Sequence, residues 1–187
     1  TDYAAYLIAD SNPDLINLYQ QLKMEGRPFI EYCRELFIPE TNKKIAYYKL
    51  RQEFNDTDDS RRKSALFVYL NRHCYNGLCR YNSKGKFNSP FGRYTQPRLP
   101  EKEMYHFHLK SSGAEFIHAR FPETLQQVRT GDVVYCDPPY IPLSKTSFFT
   151  DYATGGFSWE DQVDLVERAE KLAKRGIQVV ISNHNTR

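Results

Sequence analysis

The chain has 187 residues, 40% hydrophobic and 26% charged, with a formal net charge of +3. That composition describes an ordinary soluble globular protein, long enough to bury a core in one domain or two small ones, and excludes collagen-like and disordered classes. No apolar run approaches the roughly 18 residues of a membrane-crossing helix, which excludes that class too.

In chain order, the apolar run 6–9 predicts a buried strand ending at Asp10. Asn12-Pro13-Asp14 reads as an N-cap, a proline at the first helical position and an acid in the first turn. The helix turns Leu15, Ile16, Tyr19 and Leu22 inward and stops at Gly26. Three further amphipathic stretches predict a small helical bundle. One buries Phe29, Tyr32, Cys33 and Leu36; the next Ile45, Tyr48 and Phe54; the third, capped by Ser60, Leu66, Tyr69 and Leu70.

The texture changes at Cys74. Asn76-Gly77 and Lys84-Gly85 are turn dipeptides around 78–83 and 86–91, predicting a basic β-hairpin within about 74–95. Pro97 and Pro100 close it, and a helix is expected at 101–110. Strands are then expected at 114–118, 132–136 and 177–182, and helices at 122–128 and 158–175. The last helix has Ser158 and Asp161 at capping-box spacing and turns Val163, Val166, Ala169 and Leu172 inward. Alternating strands and helices predict parallel pairing, hence an α/β fold with a helical, basic insertion after its first strand.

Nine basic residues fall within 61–100: Arg61, Arg62, Lys63, Arg72, Arg80, Lys84, Lys86, Arg93 and Arg98. That stretch has no Asp or Glu, which leaves 17 basic against 23 acidic residues elsewhere. Phe67, Tyr69, Tyr75, Tyr81, Phe87, Phe91 and Tyr94 are interleaved with the cations. Cations offset phosphate repulsion and flat rings stack on or wedge between bases, so the segment suits nucleic acid. A solvated basic face over a Tyr/Phe core is the alternative.

Cys33, Cys74, Cys79 and Cys136 form no C-x-x-C pair, so reduced thiols in a cytoplasmic setting are expected. His73, Cys74 and Cys79 lie close in sequence, but no second ligand pair stands at zinc-finger spacing and no metal is expected.

The chemistry concentrates at Asp137-Pro138-Pro139-Tyr140, directly after the strand at 132–136. Parallel sheets place ligands beyond the carboxyl ends of their strands. An aspartate and the first proline's carbonyl together accept both N–H bonds of an exocyclic amino group, and Tyr140 offers a ring to a planar base. The N6 lone pair of adenine is delocalised into the ring. Holding its two hydrogens at oxygen favours a pyramidal nitrogen that can attack a sulfonium methyl group. The alternative is a Pro-Pro turn with Tyr140 packed on the core. Asp10, ending an early strand, reads either as a ribose-binding acid or as an acid serving the following helix dipole.

With these residues the chain resembles the Dam-type DNA adenine-N6 methyltransferases that act on GATC, from Tyr6 to Thr186. The likeness rests on Ile8-Ala-Asp-Ser-Asn-Pro-Asp-Leu-Ile-Asn-Leu-Tyr19, Tyr69-Leu-Asn-Arg72, Tyr75-Asn-Gly-Leu-Cys-Arg-Tyr-Asn82, Phe87-Asn-Ser-Pro-Phe-Gly-Arg-Tyr94, Tyr135-Cys-Asp-Pro-Pro-Tyr140 and Ser182-Asn-His184. It implies a Rossmann-like S-adenosylmethionine-dependent methyltransferase sheet, built from 1–12 and 111–187, with a helical target-recognition domain at 13–110. It implies that Asp10 binds the S-adenosylmethionine ribose, that Asp137 and Pro138 hold the target amine with Asp137 also near the cofactor, and that Tyr140 stacks on a flipped adenine. Tyr75 and Asn76 would wedge at the base stack, Leu78, Arg80 and Pro90 read base edges, and Asn82 and Tyr94 contact the backbone. Flipping is required because N6 is out of reach inside a paired duplex.

The resemblance further implies double-stranded DNA as partner, a monomer, no metal, and a role in bacteria or phage-infected hosts in replication, mismatch repair or restriction protection. The family's Gly-Gly-Lys segment and Phe-x-Gly-x-Gly loop ahead of Asp10 have no counterpart, and the sequence stops soon after Asn183. We therefore expect a piece of a longer protein, or one deficient in cofactor binding. A non-catalytic DNA-binding fragment is the rival reading; methyl transfer to cytosine N4 or to a protein glutamine is a third. Residues 141–157, with Phe149, Tyr152 and Gly155-Gly156, read as a loop that closes over the base or as an ordinary surface loop.

Overall fold

The computed structural model describes residues 3–140 and 157–183, and the chain divides into two compact units, Thr1–His118 and Ala119–Arg187. The fold is mixed α/β, and the described residues form two small parallel sheets, one in each unit. Most of the expected 141–157 loop lies outside the described residues.

The first unit opens with β1 (Tyr6–Asp10), which pairs in parallel with β2 (Ala114–His118), in register from Tyr6 opposite Ala114 to Asp10 opposite His118. The apolar run in β1 is not buried as expected: Tyr6, Leu7 and Ile8 are exposed, because β2 is its one paired neighbour among the described residues.

Between these strands come α1 (Pro13–Glu25), α2 (Arg27–Arg34), α3 (Lys44–Asp56), α4 (Ser60–His73) and α5 (Glu101–Lys110). The expected cap of α1 forms, with Asn12 Oδ1 accepting from the backbone N–H of Asp14 (3.0 Å) and Leu15 (3.3 Å). Gly26 ends α1 at φ +56°, and the His108 ring lies 2.6 Å from where a Cβ would stand. Both the left-handed backbone and the close approach therefore require glycine.

Two expectations for the bundle are corrected. The cap of α4 is Asp59, accepting from Arg62 N at 3.0 Å, and Ser60 is the first helical residue. In α3 the inward stripe runs through Tyr47 and Phe54, whereas Ile45 is 87% exposed and Tyr48 half-buried. An aromatic pair at 47 and 48 leaves the helical phase ambiguous in sequence; packing against Tyr69 and Phe91 selects Tyr47. The core also holds Phe29, Cys33, Leu66, Leu70, Cys74 and Phe87.

The second unit comprises α6 (Phe121–Gln126), β3 (Val133–Cys136), α7 (Trp159–Lys174) and β4 (Gln178–Ile181). β3 and β4 pair in parallel, from Val133 opposite Gln178 to Cys136 opposite Ile181. The Ser158–Asp161 capping box forms. The buried face of α7 is Gln162, Leu165 and Leu172, and Val163 and Val166 are exposed. Leu172 points inward as expected, while over the first turns the stripe runs one residue earlier, through Gln162 and Leu165, since Leu165 packs with Leu125 and Ile177.

Candidate functional site

Segment 74–95 leaves the end of α4 and returns beside it as two antiparallel arms. It is not the continuous β-hairpin expected from its turn dipeptides. Only isolated bridges form, Cys74 with Phe91 and Tyr81 with Phe87. The cause is side chains that occupy ladder positions. Ser89 Oγ donates to Leu78 O and accepts from Arg80 N (3.1 Å), while Asn55 of α3 exchanges both amide bonds with the backbone of Phe87 (2.8 and 3.0 Å). The turn does close as expected: Gly85 sits at φ +68°, and Asn82 Oδ1 accepts from Lys84 N and Lys86 N, both at 3.0 Å.

The helical support grips this segment closely. Tyr47 Oη donates to Ser89 O at 2.9 Å, and Arg51, lying over the Tyr48 ring, donates to Asn88 O and Ser89 O at 3.1 and 3.0 Å. Tyr81 Oη donates to the Asp14 carboxylate at 2.7 Å, and Lys63 reaches the same carboxylate at 3.3 Å. Burial, then that carboxylate, raises the Tyr81 phenol far above its usual range, so it remains a donor.

What faces outward is a specific subset. Tyr75, Asn76, Leu78, Arg80, Asn82, Pro90 and Tyr94 are all exposed, with Tyr75 at 56% and Leu78 at 53%. Of the seven interleaved aromatics, only Tyr75 and Tyr94 are exposed. Phe67, Tyr69 and Phe87 are core, and Tyr81 and Phe91 are half-buried against it. The cations sort similarly. Arg61, Arg62, Lys63 and Lys86 pair with Glu25, Glu53, Asp14 and Asp56. Arg72, Arg80, Lys84, Arg93 and Arg98 are exposed and in no ion pair among the described residues.

His73 anchors the base of the segment: its carbonyl accepts from Gly92 N at 2.8 Å, and its ring stacks on Tyr69 with centroids 4.0 Å apart. Burial lowers its pKa to about 4 from an ordinary 6.5, opposed by the hydrogen bond to Tyr69 O. The neutral form is the one folded, so the unfolded chain takes up the proton first on acidification. Stability is full above pH 6.5 and falls as pH drops from there towards 4. Between pH 7.5 and 5.5 the expected loss is about 1 kcal/mol. Urea midpoints at the two values check it, and a flat response that matches that of His73→Gln contradicts it. Among the described residues no group of three or more His, Cys, Asp or Glu could hold a metal.

Asp10 closes β1 in the first unit. It is half-buried, and its Oδ1 accepts from Asn12 N at 2.7 Å, which leaves Oδ2 to accept from a ligand hydroxyl. Asp14, not Asp10, takes the first-turn position of α1. In the second unit Asp137 follows β3, exposed, with Oδ1 accepting from Ser182 Oγ. Ser182 N also donates to Cys136 O at 3.0 Å, so the strand pairing itself holds this serine against Asp137. Pro138 is buried, and no described residue donates to its carbonyl; the Pro139 carbonyl accepts from Gln162 Nε2 at 3.1 Å. Tyr140 is 43% exposed rather than packed in the core.

Ser182 and Ser89 stand within the motifs that carry the resemblance but have no role assigned from sequence, and Gln162, Asn55 and Arg51 are not singled out there. Only Ser182 carried a usable signal, since it follows a strand expected to lie parallel in the same sheet.

A carboxylate and a proline carbonyl at a strand tip, and a basic aromatic segment on helices, are the features of an amino methyltransferase acting on DNA. The chain belongs to the D12 class N6 adenine-specific DNA methyltransferase family, which it matches over residues 1–187. It is 50% identical over 186 residues to the DNA adenine methylase of Escherichia coli K12, which covers all of this chain and 67% of that protein. The DNA adenine methylases of Vibrio cholerae and Serratia marcescens are likewise 50% identical over 187 residues, covering 68% and 69% of their lengths. The chain is thus a DNA adenine methyltransferase by family and spans about two thirds of these relatives.

Proposed function

We propose that the chain methylates N6 of an adenine flipped out of duplex DNA, within GATC, with S-adenosylmethionine as donor. The observation that carries the reading is the β3 tip. Ser182 occupies Oδ1 of Asp137, so Oδ2 and the Pro138 carbonyl, to which no described residue donates, are the acceptors available for the two N6 hydrogens. Tyr140 stacks on the extruded base. Asp10 fits the donor because one carboxylate oxygen remains to accept from ribose hydroxyls. S-adenosylmethionine supplies an activated methyl group, which needs no metal. The chain's own residues orient N6, draw its lone pair out of ring conjugation, and provide in Asp137 an acceptor for the proton lost from the methylated amine.

On the recognition segment, Tyr75 and Asn76 fill the space left by the adenine, Leu78, Arg80 and Pro90 read base edges, and Asn82 and Tyr94 meet the backbone. The chain acts as a monomer in the cytoplasm of a bacterium or a phage-infected host. The catalytic part is 1–12 with 111–187, and 13–110 is an inserted recognition domain within a Rossmann-like sheet.

Methyl incorporation into a GATC duplex, set beside a scrambled duplex and calorimetry with S-adenosylhomocysteine, tests the reading. Incorporation confined to the GATC adenine is expected. DNA binding with no affinity for S-adenosylhomocysteine would instead leave a DNA-binding fragment.

Arg80 is pre-oriented by its Nε donating to Asn88 Oδ1 at 2.8 Å. Its terminal nitrogens are left to form the bidentate guanine contact. Arg80→Ala is expected to weaken binding by about 1–3 kcal/mol and relax one position of the site. Competition among singly substituted duplexes measures this, and an equal loss on every duplex would make Arg80 a phosphate contact.

A further inference from the structure

Arg93 stands at φ +59°, a left-handed backbone that a residue with a branched-out side chain adopts only when its surroundings enforce it. Two anchors enforce it. On one side Gly92 N donates to His73 O at 2.8 Å, and Gly92 is packed so tightly that a Cβ would lie 2.7 Å from Cys74 O. On the other side Asn42, just before α3, donates through Nδ2 to Tyr94 O at 2.9 Å and to Thr95 O at 3.1 Å. Its Oδ1 is buried and is the single side-chain N or O without a partner among the described buried atoms. A group left in that state marks a residue whose other contacts outweigh the loss.

The contacts continue outward. Tyr94 Oη accepts from Asn76 N at 2.9 Å, and Asn76 is the second non-glycine left-handed residue, at φ +52° and ψ +22°. Asn76 in turn sets the exit of Tyr75 and Leu78, which are 56% and 53% exposed.

We propose that Asn42 is a positioning residue for DNA recognition, holding the turn at 92–95 so that Tyr94 fixes the left-handed Asn76 and presents Tyr75. The inference rests on the recognition role given above to segment 74–95. It predicts that Asn42→Leu lowers affinity for a GATC duplex about tenfold relative to a scrambled duplex while far-UV dichroism is unchanged. Tyr94→Phe, which removes only the hydroxyl that Asn76 N meets, is expected to give a loss of the same order.

The test is a double-mutant cycle on GATC and scrambled duplexes, with hydrogen exchange of the Asn76 amide read without DNA. The expected result is a double variant no weaker than the worse single one, with Asn76 exchange faster in both. Additive losses would mean that Asn42 and Tyr94 act on DNA binding independently of each other and overturn the proposal, as would an Asn42→Leu chain that binds like the parent. Equal losses on both duplexes would reduce Asn42 to a purely structural role and overturn it too. A parent chain that fails to discriminate the duplexes would sink the recognition role itself; the exchange arm, needing no DNA, tells that failure apart from failure of the Asn42 tether.

Discussion

Asp137→Ala is expected to lower methyl transfer by about a hundred- to a thousandfold while duplex affinity stays within about threefold of the parent. The size follows from what is removed: one of the two acceptors proposed to hold the target nitrogen pyramidal, at a strand tip where they are fixed before the substrate arrives. The split follows from location, since Asp137 sits in the second unit and the exposed residues proposed to read DNA in the first. Ser182→Ala removes the partner that orients Oδ1, and a smaller fall, about tenfold, is expected for it. Gel shifts beside radiolabelled methyl incorporation measure both. Loss of DNA binding in step with turnover would mean that Asp137 supports structure rather than chemistry.

Tyr47→Ala is expected to destabilise the first unit by about 3–5 kcal/mol, the cost of truncating a fully buried large ring. Tyr47 packs against Tyr69 and Phe91 and donates to Ser89 O, so the void opens beneath segment 74–95 as well as inside the bundle. Tyr47→Phe keeps the ring and loses only that bond, whose acceptor still receives Arg51; about 1 kcal/mol or less is expected. Urea unfolding of the three chains gives the comparison. Near-equal midpoints for Tyr47→Ala and Tyr47→Phe would contradict the packing described here.

Local signals were legible where a residue acts on its own neighbours. The Asn12-Pro13 cap, the Ser158–Asp161 box, Gly26 and Gly85 could be placed because a cap or turn is decided within a few residues. The strands at 114–118 and 133–136 and the helix at 101–110 follow from short-range pattern for the same reason. Helix phase was less legible. Tyr47 rather than Tyr48, and Leu165 rather than Val166, point inward because of partners far away in sequence.

Segment 74–95 illustrates both sides. Its turn was readable from Lys84-Gly85, whereas its outward residues came from the resemblance: of the interleaved aromatics only Tyr75 and Tyr94 are exposed. Its irregularity was not readable, because Ser89 and Asn55 replace backbone pairing only once α3 lies alongside. The basic run likewise divides into paired and unpaired cations through acids at positions 14, 25, 53 and 56, which no local window contains. At the β3 tip the Asp-Pro-Pro-Tyr turn could be read directly, whereas its Ser182 support depended on which strand is neighbour to which.

The most direct measurement is a crystal structure of the chain with a GATC duplex and S-adenosylhomocysteine. The extruded adenine is expected with N6 within hydrogen-bond distance of the Asp137 carboxylate and the Pro138 carbonyl, its ring against Tyr140. An adenine still stacked in the helix, or held at any other oxygen pair, would contradict the assignment.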